Sequence, residues 1–96
     1  MQFEWDSRKA ASNLRKHGVA FTEATSVFAD PLARLFADPD HSAREEPELI
    51  VGHDLTGRLL IASFAERGDN VRIISARRAT AREIHAHEKH IKQSRS

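Results

Sequence analysis

Residues 58–77 have the sequence RLLIASFAERGDNVRIISAR, and this stretch decides the fold. Two largely apolar runs, 58–66 and 71–77, are joined by the polar tetrapeptide RGDN, which is typical of a tight turn between two strands. A third run, 48–54 with the sequence ELIVGHD, precedes them across a short connection that ends in Gly57. The pattern predicts a three-stranded antiparallel meander.

Strand 71–77 carries apolar side chains at both odd and even positions: Val71 and Ile73 on one parity, Ile74 and Ala76 on the other. Side chains alternate between the two faces of a strand, so a strand with one face in water would show apolar residues on one parity only. We therefore expect this strand to lie centrally in the sheet, with both of its faces partly covered.

The first helix is predicted over residues 7–17. Asp6 precedes it as an N-cap residue, and Gly18 follows it as a left-handed stop. A second, shorter helix is expected to start at Thr22 and to end before Pro31, because proline cannot continue a helix at that point.

The last helix is predicted over residues 81–92. Thr80 and Glu83 have the spacing of a capping box, in which each side chain accepts a hydrogen bond from the other residue's backbone. Residues 93–96 are expected to form a frayed tail.

A short strand is predicted over residues 32–36, with a further strand candidate at 2–5, while the polar, acidic stretch 37–46 is interpreted as a loop. The fold class expected is α+β: a small antiparallel sheet, made of the three-stranded meander plus one or two short strands, with helices packed on it. Residues 1–96 are expected to form a single domain, since their number leaves no room for a second.

Composition excludes several classes of protein. With 40% hydrophobic and 30% charged residues the chain is neither a disordered tail nor a membrane span. The absence of cysteine excludes disulfides, thiolate metal sites and cysteine nucleophiles. The first six residues resemble no signal peptide, so a cytoplasmic protein without a membrane partner is expected.

The net charge of +1 conceals an asymmetry. Residues 1–66 contain seven Lys and Arg against eleven Asp and Glu, whereas residues 67–96 contain eight against three. The basic third is rich in arginine, whose planar fork of donors matches phosphate oxygens. A solvated helix face and a phosphate-binding surface both explain such a stretch.

The densest group of residues that could bind a ligand or take part in catalysis runs from Arg72 through Arg77 and Arg78 to Thr80. The predicted strand ends in this segment, and the last helix begins directly after it. Phosphate placed there would meet guanidinium donors and free backbone N–H groups. The alternative is that Arg77 and Arg78 pair with carboxylates on neighbouring elements. Arg72 has the opposite parity from Arg77, so without a bulge the two would lie on opposite faces of the sheet.

Lys16 and His17 end the first helix. His17 continues a stripe with Ala10 and Leu14, which favours a packed or helix-capping histidine. Histidine is also the side chain best suited to move a proton near neutral pH.

The last helix holds His and Glu residues at spacings that could share a metal, but no HExxH motif is present, and exposed His and Glu on a helix need no such explanation. Ser75 lacks the GxSxG context of a serine hydrolase, and the chain has no glycine-rich phosphate loop. Those two enzyme classes therefore find no support.

Three segments together resemble the BrnT family, toxins of bacterial type II toxin–antitoxin systems: FxWD at 3–6, KHGVxFxEA at 16–24 and RIISAR at 72–77. The similarity extends from about Phe3 to Glu88. It implies a RelE-like fold, a metal-independent endoribonuclease activity that reduces translation, and no cofactor. It also implies a cognate BrnA-like antitoxin that covers the toxin and supplies the DNA-binding part, so that operator DNA is contacted only through the antitoxin.

By the same resemblance, the ribose 2′-hydroxyl of the RNA attacks the adjacent phosphate, and arginines neutralise the charge of the transition state. Four residues would be catalytic in that reaction: Arg77, Arg72, His17 and Lys16. Four others would bind substrate: Arg78, Arg67, Glu66 and Thr80. The chain departs from relatives at His87, where an aromatic such as tyrosine is expected and where imidazole would become charged near pH 6.5. The alternative function is a catalytically inactive RNA- or protein-binding module derived from such a toxin.

Overall fold

The computed structural model describes residues 1–37 and 47–94. In chain order the elements are β1 (Gln2–Glu4), α1 (Ser7–His17), α2 (Phe21–Thr25), a 3-10 helix (Ser26–Ala29), β2 (Arg34–Ala37), β3 (Glu48–His53), β4 (Leu59–Arg67), β5 (Asn70–Arg78) and α3 (Ala81–Ser94). Within the described ranges, no helix is long and apolar enough to cross a membrane.

The predicted elements are present, with differences at their ends. The second helix begins at Phe21 rather than Thr22 and continues as the 3-10 helix. The last helix extends to Ser94, two residues beyond its predicted end at residue 92. Ala37 belongs to β2, and the rest of the predicted loop lies outside the described residues.

The five strands form one sheet in the order β1-β5-β4-β3-β2. Neighbouring strands are antiparallel except for β1, which pairs in parallel with residues 70–72 of β5. The central strand is β4, whose first seven residues are all buried. The expectation that strand 71–77 lies at the centre was therefore wrong, since β5 has only the three-residue β1 on its outer side.

A bulge explains the apolar residues on both parities of β5. Ser75 pairs with Ser63 of β4, but the next residue of β4 pairs with Ile73, so Ile74 is the extra residue. The bulge shifts the alternation by one, and Val71, Ile73 and Ala76 are all buried in the same cluster.

Two layers of helix enclose the sheet. On one face α1, α2 and the 3-10 helix cover the main core, which includes Phe21, Val27, Leu60 and Phe64. On the other face lies a smaller cluster of Val51, Leu59, Ile61, Leu49 and Ala79. The side chains of Arg34 and His53, which are cross-strand partners of residues in that cluster, contact His87 of α3. The helix α3 therefore covers the second face.

Candidate functional site

The C-terminal half of α1 provides one wall of the candidate site. Asp6 caps the helix by accepting hydrogen bonds from the backbone N–H groups of Arg8 and Lys9, and Gly18 ends it with a φ of 68°. Both predicted ends are confirmed. The last turn carries Arg15, Lys16 and His17, and cations there are stabilised by the partial negative charge of a helix C-terminus.

The buried residue of α1 is not on the predicted apolar stripe. Leu14 is 51% exposed and His17 is also exposed, so His17 is not packed in the core. The other possibility, a helix-capping histidine, remains, since His17 lies in the last turn of α1. Asn13 is instead buried, because its carboxamide bonds to the backbone of Ala76 in β5 and of Val19 after the helix.

A cleft of about 190 Å³ lies between α1 and β5. Its lining residues are Lys9, Ser12, Asn13, Lys16, His17, Ile74 and Ser75. Two lysines and a histidine line it, and none of the lining side chains is a carboxylate. Because uncompensated cations attract anions, the cleft is suited to phosphate or another small anionic group.

The bulge places three polar residues of β5 on one face of the sheet. Arg72, Ser75 and Arg77 pair with alternate residues of β4, at positions 65, 63 and 61, which share a face. Ser75 lies between the two arginines and also borders the cleft. The bulge thus puts Arg72 and Arg77 on one face of the sheet instead of on opposite faces, and Ser75 of this row lines the cleft together with Lys16 and His17.

The guanidinium of Arg77 is not free. Its two terminal nitrogens donate to the two carboxylate oxygens of Glu83 at 2.8 and 2.9 Å, which bears out the alternative of a carboxylate partner for this arginine. The bidentate contact with Arg77 lowers the pKa of Glu83 from 4.5 to about 2, and it raises the pKa of Arg77. Arg78, the next residue, is exposed at the end of β5.

The predicted capping box at the start of α3 is present. The backbone N–H of Thr80 donates to Glu83 Oε1 at 2.8 Å, and the backbone N–H of Glu83 donates to Thr80 Oγ1 at 3.2 Å. Glu83 therefore has two roles, since the same carboxylate caps α3 and holds Arg77. The side chain of Thr80 is engaged in the cap.

Arg72 also has a carboxylate partner, Glu4 of β1, at 3.3 Å. The remaining predicted residues lie at the hairpin end of the sheet, away from the cleft: Arg67 is on the face of Arg72, whereas Glu66 is on the opposite face. The structure therefore places Lys16 and His17 in the lining of one cleft, and it places Glu66 away from that cleft.

Sequence reasoning missed Lys9, Ser12 and Ser75 as lining residues. The spacing of Lys9, Ser12 and Lys16 puts them on one side of a helix, and that spacing is a signal visible in the sequence. Ser75 was weighed only as a nucleophile. Its position beside α1 depends on the bulge at Ile74, and no pattern in the sequence indicates that bulge.

His87 occupies the interface between α3 and the sheet. It is fully buried, its Nδ1 accepts from Nε of Arg34 at 3.3 Å, and its ring centroid lies 5.7 Å from that of His53. Burial, followed by the charge of Arg34, lowers the pKa of His87. The expectation of an imidazole that becomes charged near pH 6.5 was therefore wrong. Within residues 1–37 and 47–94, no group of three or more potential ligands is arranged to hold a metal ion.

The fold and the cleft define a small α+β protein with a cationic cleft between a helix and an adjacent strand. Residues 5–83 match the family model described as ribonuclease toxin, BrnT, of type II toxin-antitoxin system. The chain belongs to this family, as the resemblance in sequence indicated, and type II membership implies an antitoxin partner.

A solved structure, the 1.1 Å crystal structure of the Brucella abortus ribonuclease toxin, BrnT, has the same fold. The TM-score is 0.65 at 22% sequence identity, and the match covers 83% of this chain and 97% of that one. It confirms the expected α+β class. No curated protein matches the sequence significantly.

Proposed function

We propose that this chain is a metal-independent endoribonuclease that cleaves RNA at the cleft between α1 and β5 and thereby inhibits translation. The observation that carries the proposal is the cleft itself, where Lys16 and His17 lie beside Ser75, with Arg72 and Arg77 on the same strand face. The basic residues of the lining come from α1, the strand β5 contributes Ile74 and Ser75, and no lining side chain is a carboxylate. A backbone phosphate of RNA fits that charge pattern.

The reaction proposed is attack of a ribose 2′-hydroxyl on the neighbouring phosphorus. A bond forms between the 2′-oxygen and phosphorus, the bond to the 5′-oxygen breaks, and the products are a 2′,3′-cyclic phosphate and a free 5′-hydroxyl. The nucleophile belongs to the substrate, so the protein needs only to move protons and stabilise charge. His17 is suited to proton transfer and Lys16 to holding the phosphate.

Arg77 and Arg72 are proposed to stabilise the charge that develops on the phosphate oxygens. A guanidinium has five N–H donors. The contact with Glu83 uses two of them, and one terminal nitrogen also donates to the backbone oxygen of Arg78 at 3.3 Å. The carboxylate fixes the plane of the Arg77 guanidinium, so that its remaining donors are oriented before RNA binds. Loss of one such group costs on the order of 3 kcal/mol, or about 100-fold in rate. Arg78, Arg67, Glu66 and Thr80 remain proposed substrate contacts.

The partner proposed is a cognate BrnA-like antitoxin that covers the toxin and carries the DNA-binding part. Operator DNA would then be contacted through the antitoxin alone. The proposed location is the bacterial cytoplasm, which follows from RNA as the proposed substrate and an antitoxin as the proposed inhibitor.

A second function, RNA binding without cleavage, is favoured by the pairing of both arginines. Arg77 is held by Glu83 and Arg72 by Glu4, so each cation is already partly neutralised before any substrate arrives. A module of this kind would retain RNA in a salt-dependent way and leave it intact.

Inducible expression in a bacterial host tests the proposal, with growth and total RNA followed together. We expect the wild type to arrest growth and fragment RNA, and Arg77→Ala to do neither at an equal soluble level. Arg82→Ala is the matched control, because Arg82 is an exposed arginine of α3 outside the cleft. Intact RNA in cells that express soluble wild type, with or without growth arrest, would contradict cleavage and favour the binding module.

A further inference from the structure

Asn13 joins three parts of the fold through one side chain. Its Nδ2 donates to the backbone oxygens of Val19 at 2.9 Å and Ala76 at 2.8 Å, and its Oδ1 accepts from the backbone N–H of Ala76 at 3.0 Å. The residue is 6% exposed. Both amide protons and the oxygen are therefore engaged in a buried place.

The carboxamide takes the position of a missing strand. On the outer edge of β5, β1 pairs with residues 70–72, so no strand among the described residues lies beside the backbone of Ala76 there. Asn13 supplies one acceptor and one donor to the N–H and C=O of the same residue, which is the pair of bonds that an antiparallel neighbour would make. The third bond, to Val19, ties the same group to the chain just after α1.

This contact sits between the two halves of the cleft. On α1, Lys16 and His17 follow Asn13 by three and four residues, so they lie on the same side of the helix. On β5, Ser75 and Arg77 flank Ala76 directly. A shift of the carboxamide would therefore move the helix residues relative to the strand residues.

We infer that Asn13 is a positioning residue for the ribonuclease reaction: it sets the distance between the Lys16 and His17 side of the cleft and the Ser75 side, which Arg77 follows along β5. The inference rests on the proposed function, because the groups it positions are those that act on RNA there. A misplacement of about 1 Å in a catalytic arrangement can cost on the order of 100-fold in rate. Asn13 itself, bonded to backbone, acts through these neighbours.

The substitution Asn13→Asp provides a switchable test. An ionised carboxylate can accept from Ala76 N–H but cannot donate to Ala76 O, so the pair of bonds is broken. A protonated carboxyl has one O–H donor and one acceptor, which restores the pair. Burial beside carbonyl oxygens raises the pKa of such a carboxyl, so the restored form is reached at mildly acidic pH.

We expect kcat of Asn13→Asp, divided by that of the wild type, to be about 0.01 at pH 8 and to rise at least tenfold at pH 5, with KM changed less than threefold. Dividing by the wild-type value removes every pH dependence that the two proteins share. Ala11→Asp, which adds a carboxylate at an exposed position of the same helix, should keep a constant ratio near 1. A constant ratio for Asn13→Asp in protein that is folded at both pH values would overturn the inference.

Exchange of the Asn13 side-chain amide protons in the wild type provides a test that does not require the variant to fold. We expect protection comparable to backbone amides of the core, because both protons are bonded inside the protein. Exchange as fast as that of an exposed amide would overturn the inference. If the wild type does not cleave RNA, the proposed function fails and the inference fails with it. If the wild type cleaves RNA but the ratio of the two kcat values does not depend on pH, only the inference fails.

Discussion

The guanidinium of Arg77 and the carboxylate of Glu83 face each other in a bidentate contact, with N–O distances of 2.8 and 2.9 Å. The same carboxylate accepts from the backbone N–H of Thr80, so one side chain joins the end of β5 to the start of α3. The proposed transition-state group is thus oriented by the first turn of the following helix. Three residues within a seven-residue segment provide both the cap and the orientation.

We predict that the stabilisation provided by this contact is lost over a narrow acidic range of pH. Because the pKa of Glu83 is lowered from 4.5 to about 2, the contribution is fully present above pH 4.5 and is lost as pH falls through 2. Glu83→Gln should lower the free energy of unfolding by about 1 kcal/mol at pH 7, a value reduced for partial exposure, and by little near pH 2. Urea titrations of both proteins across this range measure the difference, and a constant difference down to pH 2 would contradict the assignment.

We predict that His87 makes the protein less stable as pH falls below neutrality. Its pKa is lowered in the folded state, so the unfolded chain binds the proton first: the contribution is intact above pH 6.5 and is lost as pH falls below it. The free energy of unfolding should fall by up to about 1.4 kcal/mol for each pH unit in that range.

His87→Leu removes this titration, and its stability should depend less steeply on pH between 7.5 and 5. The control is His85→Gln, at an exposed position of the same helix, which should retain the wild-type slope. Thermal unfolding at a series of pH values measures the slopes. Equal slopes for the wild type and His87→Leu would show that the buried imidazole is not the cause.

We predict that Lys16 contributes a phosphate contact. Lys16→Ala should weaken binding of single-stranded RNA and reduce the magnitude of the slope of log K against log salt concentration by about 0.7, the value for one phosphate. Arg15→Ala, the neighbouring exposed cation outside the cleft lining, should leave the slope closer to that of the wild type. Fluorescence anisotropy between 50 and 200 mM salt gives both slopes, and equal slopes for the two variants would remove Lys16 from the site.

We predict that deletion of Ile74 destroys the fold, because it removes the bulge of β5. Without the extra residue, Val71 and Ile73 would turn away from the core that Ala76 faces, and exposing each large side chain costs about 1.5–3 kcal/mol. The combined cost of exposing these two side chains approaches the total free energy of unfolding of a domain of this size. Ile74→Ala keeps the residue count and should cost only about 1 kcal/mol, since Ile74 is half-buried. A cooperative urea transition for the deletion variant, at the wild-type midpoint, would contradict this reading of the register.

Most of the fold could be predicted from the sequence because its signals are local. Asp6 and Gly18 mark the ends of α1 through cap chemistry, and the apolar runs around Gly57 and Gly68 mark the meander. The order of the strands depends on contacts between distant residues. Apolar side chains on both parities suggested a central position for β5, whereas a one-residue bulge explains them.

The site was less predictable for the same reason. Lys16 and Arg77 could be selected by residue type and by the family resemblance, but the cleft between α1 and β5 depends on Asn13, a polar residue buried by contacts with Val19 and Ala76. Helical periodicity favours burial of apolar residues such as Leu14, and it cannot reveal an amide that completes a sheet edge. Likewise, no local pattern separates a buried His87 from the exposed histidines of α3.

Cleavage of a labelled RNA by purified protein in the presence of EDTA tests the central claim most directly. We predict that the wild type produces fragments ending in 2′,3′-cyclic phosphate, that Arg77→Ala is slower on the order of 100-fold, and that Arg82→Ala matches the wild type. Intact RNA after incubation with folded wild-type protein, or equal rates for the wild type and Arg77→Ala, would contradict the account.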